Sequence, residues 1–377
     1  MSADPDPAEV EAVVTYEAPP GRVVFGAGAL DRLGGELERL GAERVLLVAS
    51  KRVADEVAER LGRRHAATCG EVVQHVPVEV AGRARQLARD AGADSLVAVG
   101  GGSAVGLAKA VALELDLPIV AAPTTYAGSE LTTIYGLTEA GRKRTGRDPR
   151  VRPRVVLYDP ALTLSLPAPV TAASGMNALA HAVEALYGPG ASPVADALAG
   201  DGIRALAAGL PVAVERPGDL AGRTRALRGA WLAGAALAAA GAGIHHQLCH
   251  VLGGAFGLDH GGVHAVLLPY SAGFVTPAVP RAMARVAGAL GVADAATGLW
   301  DLGRRLGAPA SLAELGLPAA DLDRAAELAA AQVDGRPRPV TASELRDLLA
   351  AAHAGRPPAL ATTTSAPSAG VPTRRQP

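Results

Sequence analysis

The sequence predicts an α/β fold: an N-terminal doubly wound parallel-sheet nucleotide-binding domain followed by an all-helical domain. Three observations carry this expectation. Residues 44–49, 95–99 and 118–122 are short, continuous apolar runs, the pattern of strands covered on both faces. Helical stretches alternate with them, as in parallel sheets. From about 160 to 349 the strand pattern stops, and helical segments are separated by Pro and Gly.

In order, 1–13 is acidic and proline-broken and is expected to be disordered. The α/β domain is assigned to 14–160. It opens with a strand at 22–25, ended by Gly26-Ala-Gly28. Leu30, Leu33, Leu37 and Leu40 recur at helical spacing over 29–40. After the strand at 44–49, residues 53–61 are again helical. The strand at 95–99 runs into Gly100-Gly-Gly-Ser103 and a helix through Leu115, and the last strand is 154–158. The helical domain, 161–357, has segments at 172–186, 193–210, 222–240, 245–256, 263–275, 280–290, 295–306, 321–331 and 342–353. The tail from 358 to 377 is Thr, Ser, Pro and Ala, too polar to order itself.

With 377 residues, 49% hydrophobic, the chain can bury a large core. A formal net charge of -1 gives no electrostatic case for nucleic acid or an anionic membrane. The two cysteines, Cys69 and Cys249, exclude a disulfide framework and fit a reducing, cytoplasmic setting. The N-terminus lacks the basic and apolar regions of a signal peptide. The apolar stretch 231–244 is too short to span a bilayer.

Two groups of residues bear chemistry. Gly100-Gly-Gly-Ser103 lies where a buried strand meets a helix. Unpaired N–H groups and the positive end of a helix face outward there, and glycine lets a pyrophosphate approach. Gly101, Gly102 and Ser103 are therefore cofactor candidates. Thr124 and Thr125, after the next strand, bring hydroxyls to the same sheet edge. The second group is histidine-rich. His245, His246, His250 and His260 fall within twenty residues, and His246 and His250 share a helix face. Asn177 and His181 share a face upstream. By residue type, such a cluster suits a metal, a substrate or a structural core.

Gly100-Gly-Gly-Ser-Ala-Val-Gly-Leu-Ala-Lys109 and Pro123-Thr-Thr-Tyr-Ala-Gly-Ser-Glu130 resemble the iron-containing alcohol dehydrogenase superfamily. The branch most resembled is maleylacetate reductase. Thr145-Gly-Arg-Asp148, Ser174 to Tyr187 and His245-His-Gln-Leu-Cys-His250 carry that likeness, which spans roughly residues 15–357. It implies an active site in the cleft between the two domains. It also implies reduction of the maleylacetate carbon–carbon double bond to 3-oxoadipate by NADH or NADPH, a step in bacterial breakdown of aromatic compounds, and a homodimer.

In the superfamily an Asp and three His hold the cation, and these positions match Asn177, His181, His246 and His260. A neutral Asn removes the anionic ligand, so no catalytic metal is expected. The resemblance then assigns His181 and His246 to polarising the carbonyl, and His250 and His260 to proton delivery and positioning. Asn177, Tyr126, His245, Gln247 and Tyr270 become substrate-binding candidates, and Lys143 and Arg147 become partners for carboxylate or cofactor. The chain departs from the branch at Gln247, usually Lys, and at Tyr270, usually His. Ser50 stands where NAD-preferring relatives carry Asp, and Lys51 and Arg52 follow it, so NADPH is expected to be accepted. Three readings stay open: a metal-independent reductase of an unsaturated keto acid or related carbonyl, a metal-dependent alcohol dehydrogenase, and an inactive nucleotide-binding homologue.

Overall fold

The computed structural model describes residues 21–139 and 142–358, with the side chains of Arg142 and Lys143 left out. Of the segments expected to be disordered, 1–13 and 358–377, all but residue 358 lie outside the described residues.

Six parallel strands form the main sheet: β1 (Arg22–Phe25), β2 (Val45–Ala49), β3 (His65–Cys69), β4 (Ser95–Gly100), β5 (Ile119–Pro123) and β8 (Val155–Tyr158), in the order β1-β8-β5-β4-β2-β3. Val45 pairs with Ser95, and Leu96 with Ile119. Every residue of β2 is fully buried, because helices cover both faces. The covering helices are α1 (Leu33–Arg39), α2 (Lys51–Leu61), α3 (Val78–Asp90) and α4 (Gly102–Leu115).

From β2 the chain steps outward to β3. It then returns across β2 to β4 and continues the other way to β5. The crevice of an open α/β sheet opens where the order reverses, so it lies here between the carboxyl ends of β2 and β4. Ser50 and Gly100 stand at those two ends.

Two features depart from the sequence expectation. β3, His-Ala-Ala-Thr-Cys, is an edge strand with little β-branched character, so it lacks the apolar run of its neighbours. Strands β6 (Ile134–Glu139) and β7 (Arg142–Arg147) form an antiparallel hairpin. Its Arg-Lys-Arg-Thr-Gly-Arg arm is too polar to read as a buried strand.

The helical part comprises α5 (Ala168–Ala185), α6 (Pro193–Glu215), α7 (Leu220–Ala240), α8 (Ile244–Phe256), α9 (His260–Val275), α10 (Pro280–Leu290), α11 (Ala295–Arg305), α12 (Leu322–Gln332) and α13 (Ala342–His353). Pro211 does not end α6, which continues for another turn to Glu215. α9 begins at His260 rather than near 263, because Asp259 caps it by accepting from Gly262 N at 2.7 Å. α5, α6 and α7 pack closely through fully buried alanines, among them Ala195, Ala199, Ala226, Ala230 and Ala233. α6 is long and apolar enough to cross a membrane, but half of its apolar window is buried against other helices, as in a core helix.

Candidate active site

The glycine turn closes β4 at Gly100 and opens α4 at Gly102. Gly101 is the N-cap and offers no side-chain acceptor, so the first N–H groups of α4 remain available to an anion. Thr124 N donates to Gly100 O at 3.0 Å and fixes the neighbouring loop against this turn. A Cβ at Gly101 would lie 2.9 Å from Thr125 Cγ2, so the approach of the two loops requires glycine. Gly101, Gly102, Ser103, Thr124 and Thr125 are thus brought together. Ser50, Lys51 and Arg52 are exposed at the adjoining strand end, and Arg52 donates to Ser165 Oγ at 3.1 Å. Lys109 ties α4 to the segment 129–134. Its ammonium donates to Ser129 O, Thr132 O, Thr132 Oγ1 and Ile134 O. Burial lowers its pKa to about 7 against the raising influence of Glu130.

The histidines converge from three helices and one loop. α5 carries Asn177, His181 and Glu184, α8 carries His245, His246 and His250, and α9 carries His260 and His264. His181 stacks on His246, and His250 on His260. His264 touches His245, His246 and His260 edge-on or tilted. His75, in the loop before α3, meets His260 edge-on with ring centroids 6.5 Å apart. Its positive φ of 65° is uncommon outside glycine. A cavity of about 200 Å³ opens between His75 and Thr138 of the α/β part and Cys249, His250, Gly254 and His260 of the helical part. Gln74 Nε2 donates across the same divide to Asp259 Oδ1 at 3.1 Å.

Glu184 is fully buried at the centre of the cluster. Its Oε2 accepts from His246 Nδ1 in a very short contact, and its Oε1 accepts from His245 N at 2.7 Å. Burial pushes the Glu184 pKa up, but the charge and hydrogen bond of His246 outweigh it and bring it to about 2. Burial also pushes the Tyr187 phenol well up, with the Glu184 charge adding to it.

A second chain of contacts fixes His264. Ser271 Oγ donates to Leu268 O at 3.0 Å, so it accepts from His245 Nδ1 at 2.9 Å. His245 Nε2 then accepts from His264 Nδ1 at 2.9 Å. His264 Nε2 is left as a bare acceptor. Burial holds His245 at about 3 and His264 and His181 well below the usual histidine range. Asn177 Oδ1, His181 Nδ1, His246 Nε2 and His264 Nε2 are all buried without a hydrogen-bond partner among the described residues.

Four substrate-binding candidates take other places. Tyr126 is fully buried, and its hydroxyl accepts from Arg223 Nη1 at 3.3 Å. Tyr270 is nearly buried and donates to Arg356 O at 2.7 Å. His245 has both ring nitrogens engaged inside the protein, as described. Gln247 Oε1 accepts from Asp334 N at 3.1 Å, tying α8 to the loop before α13. In each of the four, at least one polar atom is paired within the fold. The Lys143 side chain lies outside the described residues; its backbone pairs with Thr138 in the hairpin.

Glu184, His264, Ser271 and His75 were not singled out from the sequence. Glu184 lies seven residues after Asn177 on one helix, and His264 four after His260. That same-face spacing was the available signal.

A family model described as iron-containing alcohol dehydrogenase matches residues 20–160, and one for the C-terminal part of the Fe-containing alcohol dehydrogenase family matches 171–353. The chain belongs to the iron-containing alcohol dehydrogenase family. It is 48% identical to a maleylacetate reductase of Burkholderia cepacia, over 90% of this chain and 97% of that protein. It is 51% identical to maleylacetate reductase 2 of Cupriavidus pinatubonensis, over 90% and 96%. The crystal structure of a maleylacetate reductase from Agrobacterium tumefaciens superposes with a TM-score of 0.88 at 46% identity, covering 92% of this chain and all of that one.

The resemblance matches the family's iron ligands to Asn177, His181, His246 and His260. The unpartnered Asn177 Oδ1 and His246 Nε2 are atoms that a cation could take. The donor set is nonetheless an amide and three imidazoles, without an anion. Glu184, on the same helix, is already paired to His246 Nδ1 and His245 N. Imidazoles suit divalent iron, but without the anionic ligand this set is a poor fit for it.

Proposed function

We propose that the chain is an NAD(P)H-dependent maleylacetate reductase that works without a catalytic metal. The observation that carries this reading is 48% identity to a maleylacetate reductase over 97% of that protein's length. The nicotinamide cofactor follows from the family. Its pyrophosphate is assigned to the N–H groups of the Gly101–Gly102 turn, with Ser103, Thr124 and Thr125 as hydroxyl partners. Ser50, with Lys51 and Arg52 beside it, supports acceptance of NADPH as well as NADH, since a carboxylate that would repel the 2′-phosphate is missing from that strand end.

Maleylacetate has a ketone conjugated to a carbon–carbon double bond and two carboxylates. Hydride from the dihydronicotinamide forms a C–H bond at the β-carbon of the enone. The π pair moves onto the ketone as an enolate, and a proton then forms the second C–H bond at the α-carbon. The products are 3-oxoadipate and NAD(P)+. Asn177, His181 and His246 are assigned to the developing oxyanion, whose charge hydrogen-bond donors stabilise. His250 and His260, lining the cavity, are assigned to proton delivery from solvent. Arg147, beside Gly241 at the end of α7, is the charge assigned to a substrate carboxylate.

The division into an α/β part up to 160 and a helical part from 161 puts this cleft between them. The soluble, cytoplasmic setting and the homodimer are part of the same proposal. Turnover of maleylacetate should exceed that of simple aldehydes and alcohols by at least a hundredfold in kcat/KM. Preference for a saturated aldehyde or alcohol would overturn the substrate assignment.

A further inference from the structure

We infer that Glu184 is a positioning residue that holds His246 in the Nδ1–H tautomer and so leaves Nε2 as the working atom of the ring. The inference rests on the reductase reading for its kinetic part only. Glu184 lies seven residues after Asn177 and three after His181, so α5 presents all three on one face. Its carboxylate takes a donor on each oxygen, and the Gly243 backbone and the Tyr187 phenol hydrogen-bond to it as well. Oε1 accepts the His245 backbone N–H at 2.7 Å, and Oε2 accepts from His246 Nδ1. The backbone N–H can only donate, so that half of the carboxylate is committed. The carboxylate is ionised and has no proton to give, so its other oxygen accepts as well, which puts a proton on Nδ1 of His246.

The consequence is at the far side of the ring. Nε2 of His246 is buried, lacks a hydrogen-bond partner among the described residues, and belongs to a ring stacked on His181. With its proton held on Nδ1, a neutral His246 presents a lone pair at Nε2. That face of the ring is therefore an acceptor toward the pocket. This changes the role of His246 from a polarising donor to an acceptor held in one orientation. A carboxylate behind an imidazole acts in this way elsewhere, fixing tautomer and ring orientation together.

Glu184→Gln separates positioning from packing, because the amide has the same shape but one acceptor instead of two. The His245 N–H keeps the amide oxygen, so the amide NH2 faces His246 Nδ1. That nitrogen must now accept, and the proton moves to Nε2. The test is long-range 1H–15N NMR of histidine-labelled protein with kinetics alongside. In the wild type, His246 is expected as the Nδ1–H tautomer. In Glu184→Gln it is expected as Nε2–H, with kcat lowered at least a hundredfold and the KM for NADPH within threefold. An Nε2–H tautomer in the wild type would overturn the inference, and this measurement stands even if the variant does not fold. An unchanged tautomer or unchanged kcat in a folded Glu184→Gln would also overturn it. If the tautomers are as expected but the wild type does not reduce maleylacetate, the substrate reading fails and the positioning role survives.

Discussion

His181 lies face to face with His246, the ring centroids 5.0 Å apart and the planes 19° from parallel. Burial against a second imidazole disfavours a positive charge on His181. His181 is accordingly held neutral, by burial first and by His246 next. The pair keeps the spacing of a metal site, and Asn177 sits one turn before His181 without the charge such a site needs.

Asn177→Asp restores that charge. The aspartate would add an anion to the imidazoles of His181 and His246 without changing size. Zn2+ or Fe2+ affinity is expected to rise at least tenfold, measured by calorimetry on stripped protein. Equal affinities in the two proteins would show that the amide is not what excludes the metal.

Folding stability should fall in mild acid. His245 has a folded pKa of about 3 against 6.5 for the free side chain. Above 6.5 it is neutral in both states and costs nothing. As pH falls through the window from 6.5 to about 3, the unfolded chain gains the proton and the folded one does not, so stability is lost. The slope is about 1.4 kcal/mol per pH unit for one such residue. His181 and His264 are shifted in the same direction and steepen the loss. Urea unfolding between pH 7.5 and 4.5 reads this directly, and a flat midpoint over that range would contradict the buried neutral cluster.

Much of this was legible in the sequence, for identifiable reasons. Strands at Val45–Ala49 and Ile119–Pro123 are fully buried, so hydrophobicity alone marks them. The Gly101 turn is readable because a strand, three glycines and a helix can follow one another in few ways. The edge strand His65–Cys69 and the basic hairpin arm escape notice because their stability comes from pairing, not burial. Among site residues, sequence reasoning gathers the right helices but cannot see where side chains turn. Tyr126 and Tyr270 read as pocket phenols and prove to be core residues with internal partners. Glu184 reads as one more helix-face acid until the donors from His245 and His246 on another helix are seen.

Ser50 offers a test of cofactor choice. It is exposed where β2 ends at the crevice, with Lys51 next to it. Ser50→Asp would repel a 2′-phosphate and accept from ribose hydroxyls instead. The ratio of kcat/KM for NADPH over NADH is expected to drop at least tenfold. A ratio that does not move would locate the adenosine elsewhere.

The most direct test of metal-free reduction is maleylacetate turnover by protein stripped with a strong chelator, its residual metal quantified on the same sample. With less than one-tenth equivalent of any transition metal, full NAD(P)H-dependent reduction to 3-oxoadipate is the expected result. Activity that vanishes on stripping and returns with Fe2+ or Zn2+ would contradict it.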